Sequence, residues 1–207
     1  EQTNLKFTQA SLLLIDSGGQ YHFGTTDVTR TIAIGKPSRE MKKNFTLVLK
    51  GHIALSNLKF PLKNSGAALD SIARQYLWQE GLDYAHGTGH GVGYYLNVHE
   101  GPQSISSRSF STQLKEGMVI SNEPGYYKTG DYGIRIENLE LITKFNKDFL
   151  KFKTLTLAPI DINLINKKLL TVVEIKWYND YHNRIIKELG KNLSKEEISW
   201  VKKHNIK

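Results

Sequence analysis

Apolar residues occur along the chain in three rhythms, and each predicts a different element. In "ASLLLIDSGG" they form one continuous run, closed by Asp16 and then Ser17-Gly18-Gly19, which predicts a buried strand ending in a turn. "GTTDVTRTIAIG" alternates instead and is rich in β-branched residues. Thr25, Asp27, Thr29 and Thr31 fall on one face and Val28, Arg30 and Ile32 on the other, so the two runs are expected to pair antiparallel. Beyond Pro37-Ser38 the spacing becomes helical: Met41, Phe45, Val48, Leu49 and Leu55 share a stripe that ends before Pro61, with Gly51 a weak point in its middle. Ser65 is placed to cap a second helix, whose Leu69, Ile72, Ala73, Tyr76 and Leu77 share a face and which stops near Gly81.

Strand patterns return in "GMVISNEPGYY", stopped by Pro124-Gly125, and in "YGIRIENLELIT", where alternation puts Arg135, Glu137 and Leu139 on one side. From Asn166 onward an amphipathic helix is expected, and then a second one, "SKEEISWVKKH", opened by Ser194 and Glu197 at capping-box spacing. Strands gathered in one sheet with helices over one face make an α+β domain. Residues 1–160 are expected to form its main body and 161–207 a helical extension packed on the same body. The opening at Glu1, with no initiator methionine before the apolar run, predicts an N-terminally truncated domain.

Composition narrows the classes. The 207 residues suffice for one sizeable core, and 39% hydrophobic with 23% charged residues is ordinary for a globular chain. No apolar run approaches the roughly 20 residues that span a bilayer, and no signal peptide is visible, so no membrane association is expected. Without cysteine, disulfides and thiolate metal ligands are excluded, and a reducing cytoplasm is compatible. A net charge of +8 raises the question of nucleic acid. The lysines are scattered or concentrated near the C-terminal end, without an aromatic-interleaved stripe, so a solvated basic surface and no nucleic-acid partner are expected.

The chemistry concentrates elsewhere. "YAHGTGHGVGYYLNVHEGP" holds three of the seven histidines, His86, His90 and His99, among glycines that let backbone approach a ligand closely. Asp16 and Asp27 on paired strands can converge on one point, although each alone also suits a turn or a surface. Glu123 ends "VISNE", and Glu137 lies in the apolar "IRIEN", where it needs a partner. Arg135, two residues back, could supply a simple salt bridge. Together Asp16, Asp27, Glu123 and Glu137 bring four negative charges, which two divalent cations would balance. Oxygen-rich ligation with one imidazole suits Mn2+ or a similar borderline-hard metal. Such two-metal sites hold their ions about 3.5–4 Å apart and activate a bridging hydroxide.

"IDSGGQYHFGTTDVTRT", "HGTGHGVGYYLNVHEGP", "NEPGYY", "GIRIENL" and "LTLAPID", in that order, resemble the metallopeptidases with the pita-bread fold. Among these the chain is most similar to Xaa-Pro aminopeptidases (aminopeptidase P) of the longer, eukaryotic-type cytosolic branch. The resemblance implies a curved, mainly antiparallel sheet covered by helices. It implies that Asp16 binds one manganese, that Asp27 and Glu137 bridge two, and that His90 and Glu123 complete the other. His86 and His99 match active-site histidines that hold substrate and stabilise charge at the scissile carbonyl, and Arg135 matches an arginine beside the bridging glutamate. Glu123 is the expected proton carrier. The implied reaction releases the N-terminal residue ahead of a proline, so the expected partners are peptides with proline at the second position.

The resemblance also implies segments that this sequence lacks. The family's catalytic domain starts earlier, with a further active-site histidine, and full-length relatives carry one or two N-terminal domains that shape the substrate entrance. On its own the chain is therefore expected to bind metal but turn over poorly. A cytoplasmic location and a homodimer formed through the catalytic domain are further implications. Prolidase, restricted to dipeptides, is the nearest enzymatic alternative, and a non-catalytic pita-bread binding module is the alternative from another class. His22, His52, His182 and His204 match no motif and are assigned to surface or ordinary packing.

Overall fold

The computed structural model of the chain describes residues 6, 7, 10–109 and 111–206. Strands β1 (Ser11–Tyr21) and β2 (Gly24–Ile34) form a long antiparallel hairpin, followed by helix α1 (Arg39–Ser56), the short β3 (Lys59–Pro61) and helix α2 (Ala67–Trp78). A region of loops carries two-residue strands β4 (Gly89–His90) and β5 (Ser104–Ile105). Then come β6 (Val119–Asn122), β7 (Gly125–Lys128), β8 (Tyr132–Arg135), β9 (Asn138–Lys144) and β10 (Phe149–Thr154). Two 3-10 turns lead into α3 (Val172–Leu189), and α4 (Lys195–Lys203) closes the described chain. The central sheet has the order β3-β10-β9-β6, with every pairing antiparallel, and β7 pairs with β8 beside it.

The expected hairpin forms, but its turn lies further along. β1 runs on through Gly18 and Gly19, and the chain reverses at His22-Phe23. Glycine is tolerated there because no side chain is wanted: a Cβ at Gly18 would sit 2.8 Å from the Thr26 carbonyl oxygen. Nor is the apolar run buried throughout, since Ile15 is exposed and residues 11–14 are half-buried. The face of β2 bearing Asp27, Thr29 and Thr31 is the buried one. That polar interior marks the hairpin as the wall of a site rather than a core element.

Ser38 caps α1 as its position predicts, accepting from the Met41 amide. Gly51 in its middle lies where α1 crosses α2: a Cβ there would stand 2.0 Å from the Ala73 carbonyl oxygen. Ser65 does not cap α2, which starts after Gly66 with no side-chain cap, and is drawn instead into a bridge with Gln113. The stretch expected as one strand from Tyr132 breaks at Ile136-Glu137 into β8 and β9, turning Glu137 inward. The helix expected from Asn166 begins at Val172, where Thr171 and Glu174 make a capping box, while Ser194 and Glu197 cap α4 as anticipated. Phe45, Val48 and Leu49 of α1 share one apolar cluster with Leu164, Tyr178, Ile185 and Val201, so the terminal helices complete the main core.

Candidate metal centre

β1 and β2 bring Asp16 opposite Thr29 and Asp27 opposite Gly18, so the two aspartates lie on one face, a diagonal step apart. β6 ends at the third carboxylate: the Glu123 amide donates to the Thr88 carbonyl at 2.8 Å, and the Ser121 hydroxyl donates to its Oε1 at 3.0 Å. The β8–β9 break supplies the fourth. The Glu137 amide donates to the Thr29 carbonyl at 3.1 Å, and its Oε2 accepts from the Thr29 hydroxyl at 2.7 Å.

His90 enters on β4, its amide donating to Ser121 Oγ at 2.9 Å. Its Nδ1 lies 2.9 Å from the Gly91 carbonyl oxygen. A carbonyl only accepts, so Nδ1 carries a proton and Nε2 faces the carboxylates, 3.2 Å from Glu123 and 3.4 Å from Asp27. Gly89 makes this approach feasible: a Cβ would lie 1.9 Å from the Ser121 carbonyl oxygen.

Donor atoms fall into three overlapping groups, each within 4.8 Å: Asp16, Asp27 and Glu137; His90, Glu123 and Glu137; and Asp27, His90 and His99. Asp27, Glu137 and His90 each belong to two of the three groups. Burial, followed by the charges of Glu123 and Asp27, pushes the Glu137 carboxyl up to about 8. Burial also raises Glu123, opposed chiefly by His90. For His90, burial disfavours the charged ring, but the hydrogen bond to Asp27, the Gly91 carbonyl and Glu123 outweigh it and bring it to about 9. The cluster therefore stores protons that cations could replace. Four carboxylates and an oriented imidazole, without sulfur, fit a pair of borderline-hard divalent ions.

Arg135 does not pair with Glu137. Its Nη2 binds Asp16, its Nε donates to the Thr29 hydroxyl at 3.1 Å and lies 3.9 Å from Glu123, and its Nη1 donates to the Tyr127 hydroxyl at 3.0 Å. Tyr127 also meets His86 Nε2 at 2.9 Å. Burial lowers the His86 pKa. His99 packs edge-on against His90, ring centroids 4.2 Å apart. A cleft of about 560 Å³ is lined by Asp16, His86, His90, His99, Glu123 and Arg135.

Sequence reasoning missed three supports. Tyr127 is one, four residues past Glu123 in "NEPGYYK". Thr29 is another, marked only by sharing a face with Asp27. The third is the buried pair Arg74–Asp70: Arg74 donates to the Tyr84 and His86 carbonyls, and Asp70 receives the Thr88 hydroxyl. Of the remaining histidines, His52, His182 and His204 are buried, and the ring of His22 packs 5.0 Å from that of Tyr95.

An antiparallel framework that gathers acidic strand-end residues and one imidazole is the architecture of the pita-bread fold. The chain belongs to metallopeptidase family M24, whose model matches residues 1–144, and the model of that family's C-terminal region matches residues 148–205. The "Probable Xaa-Pro aminopeptidase P" of Arthroderma otae is 49% identical over 204 residues, covering 93% of this chain and 33% of that protein. A crystal structure of an X-prolyl aminopeptidase from Caenorhabditis elegans, described as a cytosolic enzyme with a di-nuclear active site, superposes with a TM-score of 0.90. It is 45% identical, over 94% of this chain and 33% of its own. Prolidase from Pyrococcus horikoshii OT3 follows at TM-score 0.67 and 36% identity, over 77% of this chain and 44% of its own. The chain thus spans about a third of the length of the curated relatives it matches. Among the described residues no helix is long and apolar enough to cross a membrane.

Proposed function

We propose that the chain carries the dinuclear metal centre of an Xaa-Pro aminopeptidase, which hydrolyses the bond between an N-terminal residue and a following proline. The carrying observation is the convergence of Asp16, Asp27 and His90 from three strands, and of Glu123 and Glu137 from two breaks between strands, onto overlapping donor groups. Asp16 would hold one ion, Asp27 and Glu137 both, and His90 and Glu123 the other, with Mn2+ as the ion the oxygen-rich set favours. Bound there, two cations supply Lewis acidity and water acidic enough to be a nucleophile at neutral pH.

The residues of the chain do the rest. Glu123, at the edge of the donor groups, would accept a proton from the attacking water and pass it to the departing proline nitrogen. His86, kept neutral by burial and braced by Tyr127, and His99, at the cleft mouth, line the position of the scissile carbonyl and stabilise its developing charge. Arg135 fixes Asp16 and Tyr127 in one plane of the site. The C. elegans relative is described as cytosolic, and we assign this protein to the cytoplasm as well.

Complete donor occupancy argues against a non-catalytic binding module. Prolidase shares the scaffold, so the deciding assay is substrate length. The whole gene product, reconstituted with Mn2+, should release arginine from the tripeptide Arg-Pro-Pro. Cleavage confined to Xaa-Pro dipeptides would establish a prolidase instead.

A further inference from the structure

Arg30 has no place in the chemistry above, yet among the described residues it is the most heavily bonded side chain. It is nearly buried, and all five of its N–H groups find acceptors. Nε donates to the Pro159 carbonyl at 2.9 Å, and Nη1 to the carbonyls of Thr29 at 2.8 Å and Glu137 at 2.6 Å. Nη2 reaches Asn138 Oδ1 and the Ala158 carbonyl, both at 2.7 Å, and the Tyr181 hydroxyl at 3.0 Å. Every acceptor is neutral. A buried guanidinium without a carboxylate is costly to desolvate, so what it holds in place should matter.

It joins two bodies. On one side is the Thr29–Glu137 contact, in which Thr29 already binds the Glu137 amide and carboxylate and Arg30 takes the Glu137 carbonyl. On the other is the segment around Ala158 and Pro159, which α3 grips. Tyr181 donates to the Ala158 carbonyl at 2.8 Å, Tyr178 to the Ile160 carbonyl at 2.8 Å, and the Ile160 amide to His182 Nε2 at 3.1 Å. A continuous path of hydrogen bonds thus runs from α3, through residues 158–160 and Arg30, to the main chain of the glutamate that links the donor groups.

We infer that Arg30 is a positioning residue through which the C-terminal helical region sets the placement of Glu137, making that region part of the metal centre. The inference rests on the dinuclear reading above. A planar fork with five fixed donors suits this task, and a lysine, with one ammonium, cannot span acceptors on three elements.

Metal binding is the direct readout. In the whole gene product, stripped of metal, Mn2+ is titrated calorimetrically, and Co2+ is titrated in parallel to read ligand geometry from its visible absorption. Circular dichroism confirms folding first. Arg30→Lys should weaken binding about ten- to a hundredfold, as expected when a residue orienting a ligand is lost. Tyr181→Phe, which removes one hydroxyl from this path, should weaken it about two- to tenfold and shift the Co2+ bands in the same direction. If Arg30→Lys does not fold, Tyr181→Phe carries the test. Folded variants that bind both ions like the wild type, with unchanged Co2+ spectra and only a lower Tm, would reduce the staple to scaffolding and overturn the inference. A wild type that takes up no second ion would defeat the dinuclear reading, and this inference with it.

Discussion

Replacing Glu137 by glutamine should stabilise the metal-free protein and cut the stabilisation that metal gives. Burial, followed by the charges of Glu123 and Asp27, raises the Glu137 pKa to about 8 from 4.5, against the opposing hydrogen bond from Thr29. A carboxyl raised on folding favours the fold fully below its unfolded value, and that advantage disappears as pH rises through the folded value. Converted at about 1.36 kcal/mol per pH unit, the gap is about 5 kcal/mol, or about 2–3 kcal/mol once the neighbouring carboxylates share the proton. Glutamine does not titrate and can still accept from Thr29. At pH 9 the metal-free Glu137→Gln protein should therefore melt about 5–10 °C above metal-free wild type. With Mn2+ at a hundred times its Kd, wild type gains about 2.7 kcal/mol per occupied site, whereas the variant, with a bridging charge gone, should gain less than half of that. Thermal unfolding in chelator and in Mn2+, at pH 6 and pH 9, checks both signs. A metal-free variant less stable than wild type at pH 9, or equal gains with Mn2+, would refute the assignment of Glu137 as a crowded, shared ligand.

Asp27→Asn should abolish peptidase activity in the reconstituted protein, since it removes charge from both ions. Turnover within a few fold of wild type would exclude Asp27 as a bridge. Glu140, fully buried beside Ser56 and Thr154 and raised to about 7 by burial, should make stability fall between pH 4.5 and 7. That loss is about 3 kcal/mol, and urea titrations across the range should show it vanish in Glu140→Gln. Gly89→Ala drives a methyl into the Ser121 carbonyl and should displace His90, measured as metal affinity lowered about tenfold or more together with a lower Tm.

Periodicity exposed the hairpin, the first two helices and the capped C-terminal helix, because each buries a stripe or uses a local cap. It misplaced the β1 turn, since Gly18 and Gly19 look like a reversal but serve the close strand approach opposite Thr26 and Asp27. β3 and β10 were invisible for another reason: three residues at Lys59–Pro61 acquire strand form only by pairing with a strand some ninety positions away. The acidic residues were legible as misfits, carboxylates in apolar strands. Which partner Arg135 would choose was not, because the break between β8 and β9 turns it toward Asp16 and Tyr127. Arg30 looked like one more residue on an outward face, and nothing local announced six acceptors drawn from residues up to 151 positions distant.

Exchanging a mid-helix glycine for alanine is a standard way to harden a protein, because it restricts the unfolded chain. At Gly51 the recipe should backfire. The extra methyl would pry α1 from α2, and α1 delivers His52 and Ser56 to Asn122 and Asn138, the immediate neighbours of two of the acidic residues. An absent side chain in the helical layer thus calibrates the depth at which those carboxylates sit, and attempts to toughen the protein should begin elsewhere.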